Sequence, residues 1–220
     1  MTIPIPTRTL CAAVLVVTTS AGASDDPLSR ARALKPVIAA QHHEFELTYM
    51  ADAVRMTARV DTAQPEGGRV AVKTSNLDDQ GDYERIVEEM DRAAGRGYWC
   101  DEMLKGVGDD AKVLSRTADS VTYTFAPQPT GARNDAVLEH LEGEISLDAE
   151  TAQVVGYRLT APKPFRQALV AKINTFEMVM ACAPAPNGRT FASNFEMTLQ
   201  GSAAFRKFSQ AFTRSLRLVK

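Results

Sequence analysis

Segment after segment of this chain alternates apolar and polar residues with a period of two. Phe45, Leu47 and Tyr49 alternate with Glu44, Glu46 and Thr48, and Val54, Met56, Ala58 and Val60 alternate with Arg55, Thr57 and Arg59. Successive side chains of an extended chain point to opposite faces, so this spacing predicts strands with one buried face. Gly67-Gly68 turns the chain into a further strand, Arg69 to Thr74. The same reasoning predicts strands at 111–117, 120–126, 139–148, 152–161, 168–182 and 189–200, and another in the basic tail from 203. Asn187-Gly188 marks a turn between two of these, in a loop lengthened by Pro184 and Pro186.

Two segments read as helix instead. Asp25-Asp26-Pro27 sets acids and a first-turn proline at a helix start, and a short helix runs to Leu34 before Pro36 breaks it. Over Asp82–Ala94, Tyr83, Ile86, Val87, Met90 and Ala94 fall on one helical face, and Gly95 suits the C-terminal cap. About nine consecutive strands with two helices predict an α+β fold. The expected form is a mostly antiparallel, strongly curved sheet or incomplete barrel with the helices on its concave face. Strand-helix alternation is missing, which argues against a parallel nucleotide-binding sheet.

Residues 1–23 are expected to be a cleaved secretory signal. Arg8 is their only charge, an apolar run follows from Leu10 to Val17, and Ala21-Gly22-Ala23 ends them. Eight apolar residues are too few to cross a bilayer, which needs about 20. Residues 24–220 then form one exported domain, in the periplasm or beyond the cell. Twenty-five Lys and Arg stand against 27 Asp and Glu, and loss of Arg8 takes the net charge from −2 to −3. That balance argues against a nucleic-acid partner.

Cys11 opens the apolar run behind Arg8-Thr9-Leu10, the wrong place for lipid attachment. Cys100 and Cys182 remain, and an even pair in an oxidising compartment is a candidate disulfide. The other reading is two unrelated buried thiols.

The densest apolar surface lies in the last third. Phe176, Met178, Met180 and Cys182 share one face of a strand; Phe191, Phe195, Met197 and Leu199 share one face of the next. Phe205, Phe208 and Phe212 follow without a strict period, which a bulge near Gly201 or a helical final segment would explain. Phe and Met together make a wide, adaptable surface. These residues are the candidate lining for an apolar ligand, with an ordinary core as the other reading. Arg206, Lys207, Arg214 and Arg217, with Lys220, make the tail basic from Met197 onward and are candidate contacts for an anionic surface. A solvated strand face is the alternative.

Chemistry-bearing motifs are lacking. Asn76, Asp78, Gln80 and Gly81 imitate the start of a calcium loop, but Val87 stands where its bidentate Glu belongs, so a polar turn into the helix is expected. His42 and His43 would point to opposite faces of a strand, and with His140 they are the only histidines. No metal, cofactor or catalytic residue is expected, and a Cys100–His140 dyad has no support from spacing.

An opening helix, meandering strands, Gly143-x-Ile145-x-Leu147-Asp148, a Pro164-Phe165 turn and long closing strands together resemble the periplasmic lipoprotein-carrier superfamily. The likeness spans most of residues 27–220. It implies an incomplete barrel whose helices cover an apolar cavity for acyl chains, with a lipid or lipoprotein as ligand and binding that needs no chemistry; a hydrolase is a third option for which no residue stands out. The alternative is an envelope structural or interaction module with a solid core and a protein partner.

Overall fold

The alternating segments pair into one antiparallel sheet. The computed structural model describes residues 26–34, 43–95, 98–129, 135–168, 171–204 and 206–219, so the leader, His42, Phe205 and Lys220 lie outside the described residues. Its strands are β1 (Glu44–Ala51), β2 (Val54–Asp61), β3 (Val70–Ser75), β4 (Lys112–Arg116), β5 (Ser120–Phe125), β6 (Glu142–Asp148), β7 (Val154–Thr160), β8 (Phe165–Ala168), β9 (Ala171–Pro184), β10 (Thr190–Ala203) and β11 (Arg206–Leu218). They lie in the order β3-β2-β1-β11-β10-β9-β7-β6-β5-β4, with β8 pairing the free half of the β9 edge. The first and last strands therefore meet in the middle of the sheet, Phe45 opposite Leu218 and Leu47 opposite Leu216.

Register carries one face across the whole sheet. Val113, Tyr123, Ile145, Tyr157, Met180, Phe195, Arg214, Tyr49 and Met56 are successive cross-strand partners. Directly opposed residues project to the same side, so one apolar row spans nine strands with Arg214 as its one charge. Phe45, Leu47, Met56, Val60, Val121, Ile145 and Leu147 on this face are completely or almost completely buried.

Helical segments cover parts of that face. In α1 (Pro27–Ala33), Asp26 accepts the Ser29 N–H at 3.0 Å as the cap and Pro27 opens the first turn. In α2 (Gln80–Ala94), Asp79 accepts the Asp82 N–H at 2.8 Å, so the calcium-like turn is the helix cap. Ile86, Met90 and Ala94, four residues apart, are its buried stripe. Near its C-terminus, Asp91 is buried and accepts the backbone N–H groups of Gly67 and Arg69, each at 2.8 Å, tying α2 to the β2–β3 turn. A 3-10 helix (Cys100–Gly106) and α3 (Asp135–Leu138) complete the set. The core has two halves: one beneath α1 and the 3-10 helix, containing Leu28, Ala31, Cys100, Tyr123, Ile145 and Val154, and one beneath α2, containing Phe45, Leu47, Met56, Met90 and Leu216.

Three expectations need correction. The sheet is neither closed nor strongly curled: β3 and β4 end it on opposite sides, and every residue of β4 is exposed. Four helical segments are present among the described residues, against the two expected. The additional two are seven and four residues long, too short to show a 3.6-residue repeat. The strand read over 168–182 is β9, and a further short strand, β8, precedes it: Phe165, read as part of a turn, opens β8 as a buried residue. Other expectations hold. Gly188, at φ +76°, lies in the β9–β10 turn, and β11 is a strand, which removes the helical alternative for the tail.

Candidate functional site

Strands β9, β10 and β11 are 14, 14 and 13 residues long, whereas their flanking neighbours β7 and β1 have seven and eight. Pairing with β1 stops at Thr213, so β11 runs on for seven residues, Arg206 to Phe212, about 20 Å of strand. Along these strands Met180 opposes Phe195, Met178 opposes Met197, and Phe176 opposes Leu199. Phe212 and Phe208 continue the Met197 and Gly201 positions onto β11. Seven of the sequence-nominated residues, Phe176, Met178, Met180, Phe195, Met197, Phe208 and Phe212, thus share one face, and each is half-buried. They form a strip between the two halves of the core. Helix α2 lies over β2 and β3, the 3-10 helix over β7 and β10, and α1 over β6.

Phe191 stands apart from this strip. A bulge between Ala192 and Asn194 shifts the β9–β10 register, and Phe191 is buried with its ring 5.3 Å from that of Phe45. Phe205 lies outside the described residues. Tyr49, Tyr157 and Leu159 adjoin the strip from β1 and β7, unforeseen because the chain brings them there from nineteen or more residues away.

At its α2 side the strip meets Arg214. The Phe195 and Phe212 rings stack with centroids 5.7 Å apart, and the Arg214 guanidinium sits 4.8 Å from Phe212 and 5.7 Å from Phe195. Glu89 of α2 approaches Arg214 at 3.5 Å, an ion pair without a tight hydrogen bond, and the buried Arg214 Nε has no partner among the described residues. Burial pushes the Tyr49 phenol above its ordinary value, against the opposing pull of Arg214. Arg217, by contrast, points to the exposed face and donates to Glu46, holding that carboxyl below its usual range. Arg206 and Lys207 lie at the other end of β11, exposed. The basic tail is therefore split: two cations paired near β1, two at the far hairpin.

A disulfide anchors the strip's other border. Cys100 and Cys182 are bonded, joining the 3-10 helix to β9 across 82 residues, and the Met180 sulfur lies 3.9 Å from Cys100 Sγ. The bond consumes the thiol that a Cys100–His140 dyad would need, and the His140 ring stacks on Phe165 at 4.5 Å instead. Non-covalent contacts reinforce the clasp. Trp99 bridges to Phe191, Arg189 grips both oxygens of Asp101 at 2.6 and 2.7 Å, and the same guanidinium lies 4.4 Å over the Trp99 ring. His43 is buried with its ring 5.1 Å from Trp99, and its Nε2 lies 3.2 Å from the Asn187 side-chain nitrogen. On the far side, Tyr123 donates to Asp26 and accepts the Leu28 N–H at 3.3 Å, pinning the start of α1 to β5.

A separate cleft of about 390 Å³ opens between α1, the 3-10 helix and the β6–β7 and β9–β10 turns, and no strip residue lines it. Its cations are already engaged: Arg32 by Asp109, Lys105 by Glu102 and Arg189 by Asp101. The strip packs partly against both halves of the core and stays half-exposed. It supplies aromatic and thioether contact and one cation, with no nucleophile beside a base. Among the described residues no cluster of three His, Cys, Asp or Glu is placed to hold a metal ion, and no helix is long and apolar enough to cross a membrane. No family model, curated protein or solved structure matches the chain.

Proposed function

We propose that this protein binds a single apolar chain, the acyl group of a lipid or lipoprotein, along the β9–β11 strip, as an exported carrier or chaperone of the periplasm. One observation carries the reading: seven Phe and Met side chains, brought to one face by register, stay half-buried between the parts of the sheet that α2 and the α1 and 3-10 helices cover. Large apolar side chains in a row without a sealing element favour an apolar ligand. Methionine adapts its shape to a flexible chain. Each CH₂ buried would contribute about 0.8 kcal/mol. Binding of this kind needs no chemistry. The disulfide is consistent with an oxidising compartment.

Native mass spectrometry of the chain purified from its own envelope, together with displacement of a fluorescent fatty acid, tests this. Met178→Glu and Phe195→Ser are each expected to weaken the fatty acid about tenfold or more, the equivalent of losing one buried apolar side chain, with folding retained. Absence of both co-purified lipid and displacement refutes the reading and leaves the strip as a face for a protein partner.

A further inference from the structure

The far end of the long strands gathers positive charge that the chain itself leaves dispersed. Residues 161–176 and 197–213 hold Lys163, Arg166, Lys172, Arg206 and Lys207 and not one Asp or Glu. Pairing of β8, β9, β10 and β11 brings the two segments side by side: Arg166 opposes Lys172, Lys172 opposes Ser202, and Ser202 opposes Lys207. All five cations are exposed. Neighbouring strands lie about 4.8 Å apart, so Lys172 and Lys207, two strands apart across Ser202, stand about 10 Å from one another, close to the Debye length at 0.1 M salt. The nearest carboxylates in the pairing are engaged elsewhere, Glu177 by Arg158 at 2.7 Å and Glu196 by the Asn194 amide at 2.8 Å. Among the described residues Lys172, Arg206 and Lys207 have no ion-pair partner.

Behind this row, on the opposite face, runs an apolar one. Phe165, Ile173, Gly201 and Phe208 are successive partners, and Phe208 lies across Gly201, where an added Cβ would come within 2.7 Å of the ring. That apolar row continues into the acyl strip. The hairpin end is therefore amphipathic, with Arg166, Lys172 and Lys207 on one face and the apolar row, bordered by Arg206 at the start of β11, on the other, in a chain whose overall charge is negative. We infer that the β8–β11 end docks on the surface of an anionic lipid bilayer. A row of cations on β8, β9 and β11, with Ser202 between them on β10, suits a laterally continuous anionic surface, which requires no fixed pattern of acceptors. The inference stands whether or not the strip holds an acyl chain.

Co-sedimentation with vesicles tests it, using the full chain with phosphatidylcholine alone or mixed with phosphatidylglycerol. The chain is expected to sediment with the anionic vesicles, less so as salt rises, and to leave the neutral ones. K172E/K207E should lower the anionic-vesicle affinity at least about tenfold. The charge-matched control R92E/K112E, on α2 and β4, should leave it within about twofold. K172Q/K207Q, which removes the same two charges without reversing them, gives the same readout if the first variant does not fold. No preference for anionic vesicles, or equal losses in hairpin and control variants, overturns the inference. Binding to polyglutamate without vesicle binding also overturns it, in favour of an acidic protein partner.

Discussion

Opening the Cys100–Cys182 bond measures how the strip's border is held. The bond spans 82 residues. In the chain-entropy picture, freeing a loop of that size returns about 15 cal/mol/K to the unfolded chain, a stability loss of about 4.5 kcal/mol at 25 °C. Alanine is the better substitute, because Cys100 is fully buried and a serine hydroxyl there would need a partner. Two missing sulfurs add about 1 kcal/mol for the space they leave, so C100A/C182A should lose about 5 kcal/mol. For a domain of this size that is a fall in Tm of about 10–20 °C. Urea unfolding followed by emission of the lone Trp99 reads it directly. A cross-link acting on the unfolded chain also predicts a larger m in the variant, since the unlinked chain exposes more surface. Hydrogen exchange in the native variant should still protect the Ala192 N–H, which the Tyr98 carbonyl accepts at 2.9 Å. A loss below about 1 kcal/mol with unchanged m would refute the reasoning and assign the border to the non-covalent clasp around Trp99.

Arg189→Met should cost about 2–3 kcal/mol, because it leaves the partly buried Asp101 carboxylate without its two-oxygen partner and uncovers the Trp99 ring. Urea unfolding measures the loss and Trp99 emission should shift; a change under about 0.5 kcal/mol would show the pair to be dispensable. Tyr123→Phe should loosen α1 and simplify the pH profile of stability. The Tyr123 phenol is pushed up to about 12 by burial and by its bond to Asp26, so its contribution is complete below about pH 10 and lost as pH climbs through 12. Burial raises the Asp26 carboxyl, but donation from Tyr123 and Ser29 outweighs it and the net shift is downward, so that contribution holds above its ordinary 3.8 and fades as pH falls through the lower folded value. Thermal melts across pH for the two proteins should differ in both limbs, and parallel profiles would refute the coupling.

Most of the strands were legible because a half-buried strand writes its face into every second residue. Phe45, Leu47 and Tyr49, or Met56, Ala58 and Val60, need no knowledge of their neighbours to be read. The caps of α1 and α2 were legible for a similar reason, since Asp26, Pro27 and Asp79 act on backbone groups within three residues. The candidate strip was half legible: Met178, Met180, Phe195 and Met197 announce a shared face through parity, but which strands lie beside them is a matter of pairing.

What only the tertiary structure decided is where distant segments meet. Whether the sheet closes depends on the separation of its edge strands, β3 and β4, and no local pattern reports that distance. The 3-10 helix has no repeat to read, being held by Cys182, Arg189 and Phe191, more than eighty residues downstream. The basic tail looked like one patch, yet pairing gave Arg214 to Glu89 and Arg217 to Glu46 and sent Arg206 and Lys207 to join Lys172 at the other end. Side-chain parity is a property of one strand, so the chain determines it alone; register and charge neighbourhood belong to pairs of strands, and arise only when the sheet assembles.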